Sequence, residues 1–210
     1  NVQSLKVSDC DLIAKNAKNI TMVSPVVNSG GQLVNGSKNW SGTVYGGSPE
    51  YLDIRKYEIA TGVNFTDDDV KKYAKVGLIG QTIVEELFED GEDPIGKTIR
   101  IGNMPFRVIG TLKEKGENSM GMDQDDIVIM PYSTVQKRML GVNFIQQIVC
   151  SAASEDVAEA AVEEIENILR AAHKIPTGGD DDFEVRTQQE MLEMMTSMTS
   201  MITTVLIAIA

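Results

Sequence analysis

The sequence predicts an α+β domain that leads into a membrane helix, and three observations carry that expectation. A helical stripe of Val157, Ala161, Ile165, Ile168 and Leu169 lies between strand-like segments at 144–152 and 183–187, the pattern of a βαβ unit that packs a helix on a sheet. The stretch from Gln32 to Gln124 is instead rich in short strand signals and glycine. After Glu193 no charged residue occurs, and the run from Met194 to Ala210 grows steadily more apolar.

Taken in order, Ser8 is placed to cap a first helix with Leu12, Ile13 and Ala17 facing inward, ending near Asn19. A strand follows over Ile20 to Val27, where Pro25 marks an edge or a bulge. Gln32 to Lys38 and Trp40 to Tyr45 read as short strands, with Asn35-Gly36 a turn signal inside the first and Gly46-Gly47 breaking the pattern. Ser48 to Leu52 reads as a short helix, and Thr66 caps another whose first turn holds Asp67, Asp68 and Asp69, where negative charge is stabilised. Lys75 to Gly80 is a buried strand running into a helix from Gln81 that sets Ile83, Val84, Leu87 and Phe88 on one face. Asp93-Pro-Ile-Gly96 then turns the chain into a hairpin, Thr98–Ile101 against Pro105–Leu112 across Gly102-Asn103. Gly116 to Gln124 is expected to be a mobile loop. Beyond it come a strand at Ile127–Met130, a helix at Ser133–Leu140, a strand at Phe144–Ala152, the striped helix capped by Ser154, and a last strand at Phe183–Val185.

At 210 residues and 42% hydrophobic content, the chain can hold one good-sized core or two small subdomains. Its net charge of −12, without clustered Lys/Arg, excludes a general nucleic-acid binder. Cys10 and Cys150 sit where a small apolar residue would serve, so two buried free thiols are favoured over a disulfide, which an oxidising compartment would permit.

Chemistry-bearing motifs are sparse. Gly91 to Thr98 satisfies G-x-x-x-x-G-K-[ST], but a phosphate loop follows a strand and opens a helix, whereas here a helix precedes and a strand follows, with Glu92 and Asp93 beside the would-be phosphates. His173 is the single histidine, placed at a helix C-terminus where the dipole favours its charge, and no serine or cysteine pairs with it in sequence. Asp123, Asp125 and Asp126, and separately Asp180, Asp181 and Asp182, are candidate hard-cation ligands that miss the EF-hand pattern and read better as solvated turn residues. Asn19, Asn35, Asn39 and Asn64 open N-x-[ST] triplets, of which Asn35 is better explained by a turn. Met191, Met194, Met195, Met198 and Met201 fall at helical spacing, a stripe suited to packing against a neighbouring helix. No catalytic, cofactor or metal residue is assigned, and a secreted enzyme is disfavoured by the lack of a paired acid and base.

The tail reads as the start of a membrane span, which needs about 20 apolar residues, with a buried amphipathic helix as the alternative. Its flank holds Glu190 and Glu193 and no Lys or Arg after Arg186, so the globular part is expected outside the cytoplasm. No signal peptide is visible at Asn1, as expected of a segment lying between two spans.

Several segments in order, Ser24-Pro-Val-Val27, Gly77-Leu-Ile-Gly-Gln81, Gly91 to Leu112, Gln124-Asp-Asp-Ile-Val-Ile-Met-Pro131 and Asp180 to Arg186, followed by the apolar run, resemble the MacB-type periplasmic core domain of ABC transporter permeases. The resemblance covers nearly the whole chain. It implies a porter-like α/β subdomain at 1–31 and 125–190, an inserted β-rich subdomain at 32–124, and the start of a transmembrane helix at 191–210. The first strand of the α/β unit would then lie upstream of Asn1. The resemblance further implies a bacterial source, which counts against glycosylation, and a non-enzymatic domain on the extracytoplasmic side of the cell membrane. Such a domain couples cytoplasmic ATP hydrolysis to export or to extracytoplasmic partners by mechanical transmission. Implied partners are an ABC ATPase, separate or fused, a second permease copy in a dimer, an extracytoplasmic adaptor and the membrane itself. The alternative is a regulatory domain of an FtsX- or LolC-like permease that controls cell-wall hydrolases or releases lipoproteins.

Overall fold

The computed structural model describes residues 4–194 and 196. Its spine is β1 (Ile20–Asn35), a single strand of 16 residues that serves two sheets. The half at 20–26 pairs antiparallel with β8 (Gln147–Ala152), and the half at 27–35 forms a hairpin with β2 (Lys38–Gly47). Two short strands were expected around Asn35-Gly36; the turn instead falls at Gly36-Ser37, closed by the Asn35–Lys38 pair, with Gly36 at φ 61°, the region glycine adopts without a Cβ penalty. Gly46 and Gly47 were expected to end the strand, yet both are paired, to β7 (Val128–Pro131). Glycine at 46 serves close packing: a Cβ there would lie 2.9 Å from Tyr132 Cα and Val135 Cγ2.

From β2 the ladder runs to β7, to β4 (Val76–Ile79), to β6 (Met104–Leu112), to β5 (Thr98–Ile101) and back to β1, which pairs with β2. Of eight strands, β8 and β3 (Ile59–Gly62, on β6) stand outside this path, so six close into a barrel. Barrel closure leaves no unpaired edge around the ring. All six contribute to one buried cluster that includes Leu33, Val44, Ile79, Ile99, Phe106, Val108 and Met130, as the inner face of a closed sheet requires. Ile83, Leu87 and Phe88 of α4 (Gln81–Leu87) and its end complete that cluster. The opposite face buries Leu78, Leu112 and Ile129 against Tyr51 and Leu52 of α2 (Tyr51–Arg55) and against Phe65. Strand β7, placed by the sequence after the insert, is thus a stave of the barrel, and the expected boundary at Gln32 falls within continuous β1.

α3 (Asp67–Lys71) starts where its cap predicted: Thr66 accepts from the Asp69 amide, and Asp69 accepts from the Thr66 amide. Thr66→Ala is expected to cost about 1 kcal/mol, read as a drop of about 2–4 °C in thermal denaturation.

The second layer is smaller. α1 (Val7–Asn16) and α6 (Ala158–Ala172) pack Ile13, Ile165 and Leu169 over Ile20, Val23, Ile148 and Cys150 of the β1–β8 pair. Ser8 is not the cap of α1. The helix opens at Lys6, whose amide donates to Asp9 Oδ2 at 3.0 Å. Ser154 likewise heads a 3-10 turn at Glu155–Val157, and α6 starts only at Ala158. The helix expected at 133–140 begins at Tyr132 as α5 (Tyr132–Thr134) and widens into a π-helix at Val135–Leu140, ending on left-handed Gly141. Phe183–Val185 makes no strand ladder, in correction of the expected βαβ unit. Its alternating apolar residues Phe183 and Val185 instead pack directly against the α1–α6 layer.

Candidate functional site

The N-terminal segment at residues 4–9 meets the segment after α6 at one place. Ser4 Oγ donates to the Asp182 carbonyl at 3.2 Å. Beside this bond, His173 at the end of α6 lies between two carboxylates: Nε2 is 2.9 Å from Asp9 Oδ2 on α1, and Nδ1 is 2.7 Å from Asp182 Oδ1. The His173 side chain is only 9% exposed, and its ring meets Phe183 edge-on at 5.9 Å between centroids. Burial alone would lower the His173 pKa, but the hydrogen bonds that Asp182 and Asp9 accept from it outweigh burial and hold the imidazole above its ordinary value. Arg170, one turn earlier on α6, holds Asp181 and donates to the carbonyls of Pro176 and Gly179. Four residues after Phe183, Thr187 caps the helix at 188–194, its Oγ1 accepting from the Glu190 amide at 3.1 Å. The sequence placed His173 correctly at a helix end but missed both partners.

The acidic runs turn out to be structural. Asp125, expected to be solvated, is 4% exposed and accepts from the amides of Lys115 and Gly116, pinning the base of the 116–124 loop. Asp123 accepts from Thr82 and from the Asp125 amide, and Asp126 accepts from Trp40 Nε1 at 2.9 Å. Asp182 and Asp181 serve His173 and Arg170. Among the described residues, no group of three or more His, Cys, Asp or Glu is disposed to hold a metal ion. The loop that these aspartates anchor presents Met120 and Met122, 49% and 65% exposed.

The Gly91–Thr98 segment lies between α4 and β5, in helix-loop-strand order, and Lys97 Nζ is 3.1 Å from Glu92 Oε2. Both cysteines are free thiols; burial pushes Cys10 well up and Cys150 to about 11, which disfavours the nucleophilic thiolate at neutral pH. The asparagines of the four triplets have hydrogen-bonded side chains: Asn19 with Glu164, Asn35 with the Leu87 carbonyl, Asn39 with Gln32 and Asn64 with the Pro49 carbonyl. A shallow groove between α1 and α6, lined by Leu12, Asn16, Asn167, Ile168, Ala171 and Ala172, is mostly apolar and lacks the convergent polar groups that orient a small ligand. Met191 and Met194 are exposed; Met195, Met198, Met201 and the expected membrane entry lie outside the described residues. Among the described residues no helix is long and apolar enough to cross a membrane.

The described residues form a mixed α/β scaffold in which residues 4–9 are held to residues 173–182. The chain belongs to the MacB-like periplasmic core domain family, whose model matches residues 1–168. It is 31% identical to the macrolide export ATP-binding/permease protein MacB of Syntrophobacter fumaroxidans, covering 100% of the chain and 37% of that protein. Against the protein of the same name from Chlorobium luteolum the identity is 37%, over 88% of the chain and 27% of the relative. The chain therefore spans about a third of the length of these relatives. Its fold matches the crystal structure of the periplasmic region of MacB from Actinobacillus actinomycetemcomitans with a TM-score of 0.78 at 26% identity, covering 93% of this chain and 85% of that one. The extracellular domain of the noncanonic ABC-type transporter YknZ from Gram-positive bacteria shares the fold, with a TM-score of 0.73 at 21% identity over 89% and 91% of the two chains.

Proposed function

We propose that this chain is the extracytoplasmic domain of an ABC transporter permease and that it couples cytoplasmic ATP hydrolysis to export, or to extracytoplasmic partners, by mechanical transmission. The observation that carries the reading is the convergence of residues 4–9 with residues 173–183 immediately before the helix at 188–194. Motion entering from flanking membrane helices would arrive at this one rigid junction. From there continuous β1 leads into the barrel, a stiff path with no linker to absorb displacement. The α1–α6 layer with its two strands is the porter-like unit, the barrel is the inserted unit, and the run after 191 is the start of a transmembrane helix. Its partners are an ABC ATPase, separate or fused, a second permease copy and an adaptor protein. The relatives' names make macrolide efflux the first transport assay to run.

The topology is tested with Ser119→Cys, on the exposed loop beside Met120, in the complete membrane protein. Within this chain the thiols contribute little background, because Cys10 is buried and both Cys10 and Cys150 hold raised pKa values; the unsubstituted protein measured in parallel gives the background of the rest. A membrane-impermeant thiol reagent is expected to label Cys at 119 on intact cells or spheroplasts. Labelling only after lysis would place the domain in the cytoplasm and overturn the reading.

A further inference from the structure

We propose that His173 is a protonation-dependent clasp: as imidazolium it fastens the start of α1 to the segment leading into the helix at 188–194, and as neutral imidazole it lets one of the two go. The argument is geometric. An imidazolium donates from both ring nitrogens, whereas a neutral imidazole donates from one and presents a lone pair at the other. Here both nitrogens face carboxylate oxygens within 3 Å, so loss of the proton to solvent sets a lone pair against an acceptor at either Asp9 or Asp182.

Among the described residues, no Lys or Arg forms an ion pair with Asp9 or Asp182 that would replace the lost proton. The charged groups around the ring are Asp9 from α1, Asp182 from the return segment, and Arg170 on α6, which is engaged by Asp181 and two carbonyls. Asp9 Oδ2 also receives the Lys6 amide, so the same oxygen that holds the ring also shapes the opening of α1. Loosening at Asp9 therefore frays residues 4–9, and loosening at Asp182 frees the stretch that carries Phe183 and the Ser4 contact. A histidine raised above its unfolded pKa contributes stability that is fully present below about pH 6.5 and is lost as pH rises through the folded value. The consequence for transport rests on the coupling reading above, but the clasp itself does not, and the two fail separately.

Because His173 is the single histidine, its Cε1–H gives one imidazole NMR signal in the 210-residue chain held in detergent micelles. The expected midpoint lies above the value of about 6.5 for a free histidine, and Asp9→Asn and Asp182→Asn each lower it. Amide hydrogen exchange, corrected for its intrinsic pH dependence, should show the bonded Lys6 and Asp9 amides losing protection through that same midpoint, with the Phe183 ring signals shifting in step, while the barrel amides of β4 and β6 stay protected. In His173→Gln, which stays neutral throughout, protection of the Lys6 and Asp9 amides and the Phe183 signals should no longer vary with pH, and the barrel amides report that the variant is folded. A wild-type midpoint at or below about 6.5, protection that ignores the titration, or pH dependence that persists in His173→Gln would each overturn the clasp.

Discussion

Phe106→Ala is expected to destabilise the fold by about 3–5 kcal/mol, a large part of the roughly 5–15 kcal/mol that holds a domain together. Phe106 is 1% exposed inside the barrel and is paired across β5–β6 with Ile99. Its ring lies over Gly77 of β4, so closely that a Cβ on Gly77 would be 2.9 Å from Phe106 Cε2. Truncation thus opens a void facing a residue with no side chain to move into it, the condition in which a cavity relaxes least. Phe106→Leu refills most of the volume and is expected to cost about 1.5 kcal/mol or less. In thermal denaturation the alanine variant should melt about 6–20 °C below the parent, scaling from about 2–4 °C per kcal/mol for a chain of this size. A drop of less than about 2 °C would mean that the ring does not fill the barrel interior.

The parts of the fold that were legible in the sequence are those written in short stretches. Thr66 and Asp69 form their capping box within four residues, and Gly102-Asn103 turns the β5–β6 hairpin in the expected register, with Ile101 opposite Met104. What stayed hidden depends on pairings between distant segments. Nothing local announces that Gly46 and Gly47 pair with Met130 and Pro131, or that β1 returns to β5 at Leu33–Ile101 and so closes a barrel. Alternation misled at Phe183 and Val185: a period of two records burial on one side, which these residues achieve against α1 and α6 without a strand partner. Pro25 was read as the sign of an edge or a bulge, and among the described residues that half of β1 pairs on one side only, with β8.

The same division holds for the junction at His173. A lone histidine ending the strongest amphipathic helix, seven residues before an aspartate run that closes at Asp182, was a usable signal for the Asp182 contact. Asp9 is 164 residues away and carries no such signal, because only the packing of α1 on α6 brings it to the ring. The aspartates at 123, 125 and 126 look like a surface charge run for a similar reason: their amide, hydroxyl and indole partners lie on other segments or on the far side of the loop.

Mechanical coupling is the central claim, and the helix at 188–194, capped by Thr187, is where it can be broken. No proline or glycine follows Gln188, so a continuous helix would carry a tilt of the membrane segment into the α1–α6 layer as a lever. A proline in a helix interior removes a backbone donor and clashes with the preceding turn, at about 3 kcal/mol or more. Met194 is exposed on that helix, so the substitution disturbs the lever and spares the core. The deciding measurement compares ATP hydrolysis and efflux by the complete transporter at matched expression, for Met194→Pro and for Met194→Leu. The account predicts that the proline variant keeps basal ATPase activity and loses transport, while the leucine variant behaves as the parent does. Transport by Met194→Pro equal to the parent's would contradict it and leave the domain a static docking platform.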